Sequence, residues 1–265
     1  MLDKFNRKIN YLRISVTDKC NQRCYYCMPK GEINFIKIDH ILSYEEIFTI
    51  TKSFVDKGIN KVRLTGGEPL LRKNIISLVS MLSELRGITD LSMTTNGTLL
   101  SKYAKQLKQN GLNRINVSLD SVNHDHYKDI TYNGNLNDVL DGLNTAKEVG
   151  FKSIKINCVI KKSSDEQNAK EVAEFALKNG FEIRFIRMMN MEKGEFWPVD
   201  GGEGGNCKTC NRLRLSSDGR IFPCLFCDKS FSIRELGIDN AIEQSIKFKP
   251  ESGDKAINKF HLLGG

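Results

Sequence analysis

Tyr11-Leu-Arg-Ile-Ser-Val-Thr17, followed by Asp18-Lys-Cys20-Asn-Gln-Arg-Cys24-Tyr-Tyr-Cys27, is a strand that runs straight into a loop of three thiols. The first part alternates polar and apolar residues, the period of a β-strand. The second part has the spacing C-x3-C-x2-C. Three sulfurs on so short a loop can hold three corners of a cubane [4Fe–4S] cluster and leave its fourth iron without a protein ligand. An open iron is what a cluster needs to bind a substrate as well as to carry an electron. Zinc is the competing choice, but structural zinc takes four donors, and the next Cys or His along the chain is His40. A disulfide framework fits poorly, since three is odd and the chain is not small.

Outward from that loop a strand–helix pattern repeats. Ser43 and Glu46 form a capping pair that opens a helix to about Lys57, and Gly58 supplies its stop. Lys61 to Thr65 is a second strand, ending in Gly66-Gly67-Glu68-Pro69, and apolar residues then recur at helical spacing from Ile75 to Leu85. Leu91 to Thr95 is the third strand, ending at Asn96-Gly97, with a helix from Leu99 to Gln109. Arg114 to Asp120 is the fourth; a short irregular piece leads to a helix over Leu136 to Val149. Ser153 to Ile160 is the fifth, with a helix ending near Asn179-Gly180, and Glu182 to Ile186 is the sixth.

Six strands alternating with helices place the chain in the α/β class, with a parallel sheet and right-handed crossovers. A unit length of roughly 25 to 40 residues suits an incomplete (β/α)6 TIM-type barrel. An open doubly wound sheet stays as the alternative, because period alone does not show closure. In either case ligands bind at the strand C-termini. That edge carries the cysteine loop, the Gly-Gly-Glu-Pro loop, Thr94 to Gly97 and Ser118 to Asp120. Residues 1–190 are expected to form the partial barrel, and 191–265 a small C-terminal iron–sulfur hairpin extension.

The 40% hydrophobic and 27% charged composition is that of an ordinary globular protein. The N-terminus has no apolar core of signal-peptide length, and no stretch approaches a membrane span. A cytoplasmic location without a membrane partner is therefore expected. Thiols stay reduced there, so the eight cysteines are better metal ligands than disulfides. A formal charge of +8 suggests an anionic partner, a phosphorylated small molecule or nucleic acid, although a mildly basic solvated surface explains it equally.

A second cysteine group follows a Gly201–Gly205 run that reads as a loose joint. Cys207, Cys210 and Cys224 are spaced C-x2-C-x13-C, with Cys227 close behind. Arg212 to Leu215 and Arg220 to Phe222 read as a hairpin turning at Asp218-Gly219, which brings Cys207 and Cys210 near Cys224. Taken as four cysteines, this is a zinc ribbon, as in a non-catalytic nucleic-acid-binding protein. Taken as three, it is a second cluster with another open iron. Arg212 and Arg214 share one strand face and suit bidentate grip on phosphate or a polar ring. The glycines after the second strand let a ligand approach the backbone, and Glu68 can accept from a charged amino group. Cys158 lies inside an apolar strand and reads as a core thiol.

The C-x3-C-x2-C spacing, with aromatic Tyr26 before the third cysteine, is that of the radical S-adenosylmethionine (SAM) enzymes. Most of the chain resembles one of their families, the GTP 3′,8-cyclases that open molybdenum cofactor biosynthesis. The resemblance runs through Leu12-Arg-Ile-Ser-Val-Thr-Asp-Lys-Cys20, Lys61-Val-Arg-Leu-Thr-Gly-Gly-Glu-Pro-Leu-Leu-Arg72, Thr94-Thr-Asn-Gly97, Ile115-Asn-Val-Ser-Leu-Asp120, Cys210-Asn-Arg-Leu-Arg-Leu215 and the terminal Gly264-Gly265. It implies an incomplete β/α barrel with a [4Fe–4S] cluster at each end of its cavity. Cys20, Cys24 and Cys27 would hold the SAM cluster, and Cys207, Cys210 and Cys224 the second, whose open iron binds guanine. Tyr26, Gly67, Glu68, Ser118 and Met189 would contact SAM. Arg13, Arg63, Thr94, Lys155, Arg212, Leu213 and Arg214 would contact GTP, and Gly264 and Gly265 would enter the active site. The implied reaction converts GTP to (8S)-3′,8-cyclo-7,8-dihydroguanosine 5′-triphosphate, with an electron donor and a downstream cyclic pyranopterin monophosphate synthase as partners. A homodimer is left open.

Two departures from the family stand out. Its members carry several dozen more residues between the sixth strand and the second cysteine group, where only Met189 to Gly205 lies here. Cys227 could also cap the iron that should bind GTP, since thiolate is a stronger iron ligand than a guanine nitrogen. Capping would favour a radical SAM enzyme that modifies a peptide and uses the second cluster as a relay. The Asn211-Arg-Leu-Arg214 run and the Gly-Gly tail favour an open iron, with Cys227 turned away.

Overall fold

The computed structural model describes residues 1–28, 33–257 and 260–264. Six parallel strands, β1 (Tyr11–Ser15), β2 (Lys61–Thr65), β3 (Asp90–Thr95), β4 (Arg114–Ser118), β5 (Ile154–Ile160) and β6 (Glu182–Arg187), lie side by side in chain order. The helices between them are α1 (Tyr44–Asp56), α2 (Ile75–Ser83), α3 (Leu100–Gln109), α4 (His124–Thr131), α5 (Leu136–Glu148) and α6 (Gln167–Asn179). The Ser43 hydroxyl accepts from the Glu46 N–H and the Ser43 N–H donates to the Glu46 carboxylate, so the capping pair forms as its spacing implies. The stretch before α5, expected to be irregular, contains α4, capped by Asn123.

β7 (Arg212–Leu215) pairs in parallel with the free edge of β1, setting Arg214 beside Arg13. β8 (Arg220–Phe222) and β9 (Phe231–Ser232) then extend the sheet antiparallel. The final order is β6-β5-β4-β3-β2-β1-β7-β8-β9. β6 and β9 are its two edges, so the barrel is partial. The C-terminal region is thus sewn into the barrel's own sheet and is more than a hairpin hung beside it. It ends in α7 (Ile233–Leu236), α8 (Ile238–Lys247) and α9 (Phe260–Leu263).

Residue alternation assigns the two faces of this sheet. Leu12, Ile14, Val62, Leu64, Leu91, Met93, Ile115, Val117, Ile156, Leu213 and Leu215 join one fully buried layer with the helices. Cys158 is buried in that layer. The concave face is polar instead: Arg13, Ser15, Arg63, Thr65, Ser92, Asn116 and Arg214 are all buried there. A barrel lined with cations and hydroxyls suits a polar ligand and leaves core packing to the outer face. Beyond β6, Asp200 exchanges backbone hydrogen bonds of 3.0 Å with Phe185, and Arg212 donates to the Glu203 carbonyl at 3.1 Å. The glycine run is therefore a wall between β6 and β7, where the sequence suggested a loose joint. Among the described residues, no helix is long and apolar enough to cross a membrane.

Candidate active site

Two cavities open on the concave face. The first is lined by Cys20, Cys24, Cys27, Tyr26, Gly66, Gly67, Thr94, Asn96, Ser118 and Gly264. The second is lined by Cys207, Cys210, Cys224, Arg13, Arg63, Arg184, Arg212 and Arg214. Asn157, Ile186 and Met189 belong to both linings, so the two cysteine groups face adjoining spaces.

The C-terminal end of α4 carries the first cysteine loop. The Arg23 N–H donates to the Thr131 carbonyl and the Tyr25 N–H to that of Ile130, while Gln22 reaches the Tyr127 hydroxyl at 2.7 Å. A tight turn follows, in which the Cys27 and Met28 N–H groups both donate to the Cys24 carbonyl. The Cys20 sulfur accepts from the Gln22 N–H at 3.4 Å and from the Asn96 amide at 3.8 Å, which favours its thiolate. Burial pushes all three thiols up, Cys27 to about 12, so ligation has to displace their protons. Among the described residues, no three Cys, His, Asp or Glu side chains stand close enough to share one metal ion. A cubane asks for less convergence, because each cysteine takes a different iron.

Gly66 and Gly67 have a different reason to be glycine from the one the sequence suggested. A Cβ on Gly66 would lie 2.4 Å from the Thr17 carbonyl oxygen, and one on Gly67 2.2 Å from that of Lys19. The Gly67 N–H donates to Thr17 at 2.7 Å and the Glu68 N–H to Lys19 at 2.8 Å. These glycines let the cysteine loop's backbone press close. Glu68 also departs from expectation. Its carboxylate is fully buried and accepts from the Leu70 N–H, the Thr95 hydroxyl and the Asn96 N–H. It aims Asn96 at Cys20 and lies behind the residues that line the cavity, where the sequence suggested a contact for the SAM amino group. Burial raises its pKa to about 7.

Tyr26 faces the first cavity, and its hydroxyl donates to Asp120 at 2.5 Å. Ser118 and Met189 line the same space. Thr94 lines it too, with a buried hydroxyl that has no hydrogen-bond partner. Gly264 lies there at φ +63°, with Thr65 where a Cβ would sit. Gly265 lies outside the described residues.

Arg13, Arg63 and Arg214 crowd the second cavity at 7 to 8% exposure. Burial first, and then neighbouring arginines, press against their charge; Arg63 and Arg214 fall to about 10. Arginine stays charged regardless, so the cavity is strongly electropositive. Two expected members are placed elsewhere. Leu213 points away into the apolar layer, because it alternates with Arg212 and Arg214, so only its backbone could meet a ligand. Lys155 pairs with Glu182 in a neighbouring space near the strand N-termini. Arg184, Asn157 and Lys249 were missed. Strand alternation around Arg184 and Asn157 carried the signal for the first two; nothing local marked Lys249.

Around the second cysteine group, Ser252 donates to the Cys207 sulfur at 3.7 Å. Burial would raise Cys210, but Lys249 and Arg212 outweigh it and bring it down to about 7. These sulfurs sit among donors and cations, surroundings that favour thiolates. Cys227 lies outside the cavity lining that holds the other three.

Residues 14–176 match the family model of the radical SAM superfamily. The chain superposes on Streptococcus suis SuiB with a TM-score of 0.63 at 17% identity, covering 84% of this chain and 62% of that one. Methylornithine synthase superposes at 0.58 and 18% identity, covering 76% and 60%. A partial β/α barrel with a three-cysteine loop at its strand ends defines a radical SAM enzyme. A protein of Thermodesulfovibrio yellowstonii named GTP 3′,8-cyclase is 39% identical over an alignment of 322 positions covering 100% of both chains. One of Aliarcobacter butzleri with the same name is 36% identical, covering 93% of this chain and 90% of its own. The chain belongs to the GTP 3′,8-cyclase family. The first alignment is longer than the 265 residues here, so that relative carries segments this chain lacks. An enzyme of this class displaces the non-catalytic zinc-ribbon alternative.

Proposed function

We propose that the chain converts GTP to (8S)-3′,8-cyclo-7,8-dihydroguanosine 5′-triphosphate. The observation that carries this reading is the pair of cysteine groups facing adjoining cavities, with five arginines lining the second. Cys20, Cys24 and Cys27 hold the first [4Fe–4S] cluster, and Cys207, Cys210 and Cys224 the second. When bound, the first cluster and SAM together supply a 5′-deoxyadenosyl radical and methionine. Gly67, Tyr26, Ser118 and Met189 seat SAM. Arg13, Arg63, Arg212 and Arg214 neutralise the triphosphate, a task suited to fixed guanidinium forks. Thr94 offers its unpartnered hydroxyl to the ligand, and Gly264 closes the space from the tail side. The same reading gives the enzyme an electron donor, a cytoplasmic setting and a place ahead of cyclic pyranopterin monophosphate synthase in molybdopterin biosynthesis.

The test is anaerobic reconstitution followed by incubation with SAM, dithionite and GTP. About eight irons per chain, 5′-deoxyadenosine and the cyclised nucleotide are expected. Formation of 5′-deoxyadenosine with no product from GTP would overturn the substrate assignment. The peptide-modifying alternative needs Cys227 to cap the second cluster. GTP that perturbs the second cluster's paramagnetic resonance only in Cys227→Ser would support it.

A further inference from the structure

Lys249 lies just beyond α8 and is 1% exposed. Its ammonium donates to the Arg212 carbonyl at 2.7 Å and the Pro223 carbonyl at 2.6 Å. The Cys210 thiol lies near enough for the two charges to favour each other. An ammonium has three donors, and these two carbonyls take two of them. The side chain therefore spans the strand that leaves Cys210 and the residue that precedes Cys224.

The charge is the unusual part. Burying an ammonium is costly unless something negative answers it. Arg7, another cation tied to this region, donates to the Cys207, Pro250 and Glu251 carbonyls but is paired with Asp3 at 2.6 Å. For Lys249 the groups that favour its charge are the thiols of Cys210 and Cys224, and Arg7 acts against it. A cluster with a 2+ core on three thiolates carries one net negative charge and gains another on reduction. A fixed cation beside two of those thiolates stabilises the more negative form.

We infer that Lys249 is the positioning residue of the second cysteine triad: it ties the Cys210 and Cys224 segments together and favours reduction of the cluster held there. This rests on the second cluster assigned above. The full chain with Cys20, Cys24 and Cys27 replaced by alanine isolates that cluster, and Lys249→Gln and Lys249→Arg are compared with it. The readouts are iron content and a redox titration followed by paramagnetic resonance. In Lys249→Gln the reduction equilibrium constant should fall at least tenfold, 59 mV for a one-electron couple, while Lys249→Arg stays within about threefold of the parent. Loss of iron in Lys249→Gln with retention in Lys249→Arg supports the same role. An unmoved potential in Lys249→Gln, or equal loss of iron in both variants, overturns it. If the parent background itself binds no iron, the second-cluster reading falls and this inference with it.

Discussion

Arg214 latches the end of the chain: its Nη1 donates to the Gly264 carbonyl at 2.6 Å and to that of Leu263 at 3.2 Å. A sheet residue and the C-terminal tail are thereby joined inside the barrel. A Cβ on Gly264 would lie 2.0 Å from the Thr65 hydroxyl. Gly264→Ala should push the tail out of place and lower GTP turnover by about 100-fold, the scale of a misplaced catalytic element. A stability loss of about 1–3 kcal/mol should accompany this, because both φ +63° and the Thr65 side chain oppose a methyl there. Product assays alongside a denaturant melt check both, and unchanged turnover would refute the tail's role.

Gly67→Ala should act through the cysteine loop. The new methyl meets the Lys19 carbonyl oxygen at 2.2 Å, so the 2.7 and 2.8 Å backbone bonds from Gly67 and Glu68 must part. A loss of about 2–4 kcal/mol is expected. Iron after reconstitution should fall by about half, from the first cluster alone. Full iron content would show that the two loops hold independently.

Glu68 predicts a pH dependence. Its folded pKa, raised to about 7 by burial, exceeds the ordinary 4.5, so the native state binds its proton more tightly than the unfolded chain. Its contribution to stability is complete below about pH 4.5 and is lost as pH rises through 7, a change of about 3 kcal/mol. Glu68→Gln should remove that slope. It should also lower stability throughout, because its amide must oppose one of the N–H or O–H donors now bound to the carboxylate. Denaturant midpoints between pH 5 and 8 decide this; a slope retained in the variant assigns it to another group.

Arg63 trades stability for binding. It is buried beside other arginines, so Arg63→Met should stabilise the ligand-free protein. GTP at about 100 times its Kd should stabilise the parent by about 2.7 kcal/mol, and the variant by under about 1 kcal/mol. Thermal melts with and without GTP measure both. An equal GTP effect in the two proteins would remove Arg63 from the site.

The sequence carried the succession of strands and helices from β1 to β6 because a period of two and a period of 3.6 are local signals. It did not carry the parallel pairing of β7 with β1, which brings Arg214 beside Arg13; only tertiary contact decides that. α4 was hidden because its buried residues, Tyr127, Ile130 and Thr131, follow a start as polar as His124-Asp-His126. Glu68 was visible as a motif residue, but its direction was not. Lys249 looked like one more lysine beside Lys247, since burial of a single cation leaves no periodic trace.

The contact between Gly66-Gly67 and Thr17–Lys19 is made by main chain on both sides. Every residue type carries the same carbonyl, so no replacement at Thr17 or Lys19 can make room for a methyl on the facing glycine. A lost core side chain can be compensated by a larger neighbour; a change here has no such remedy except a shift of the whole loop. In mutational terms these two positions are closed to second-site rescue, and a selection for suppressors of Gly67→Ala should return chiefly true revertants.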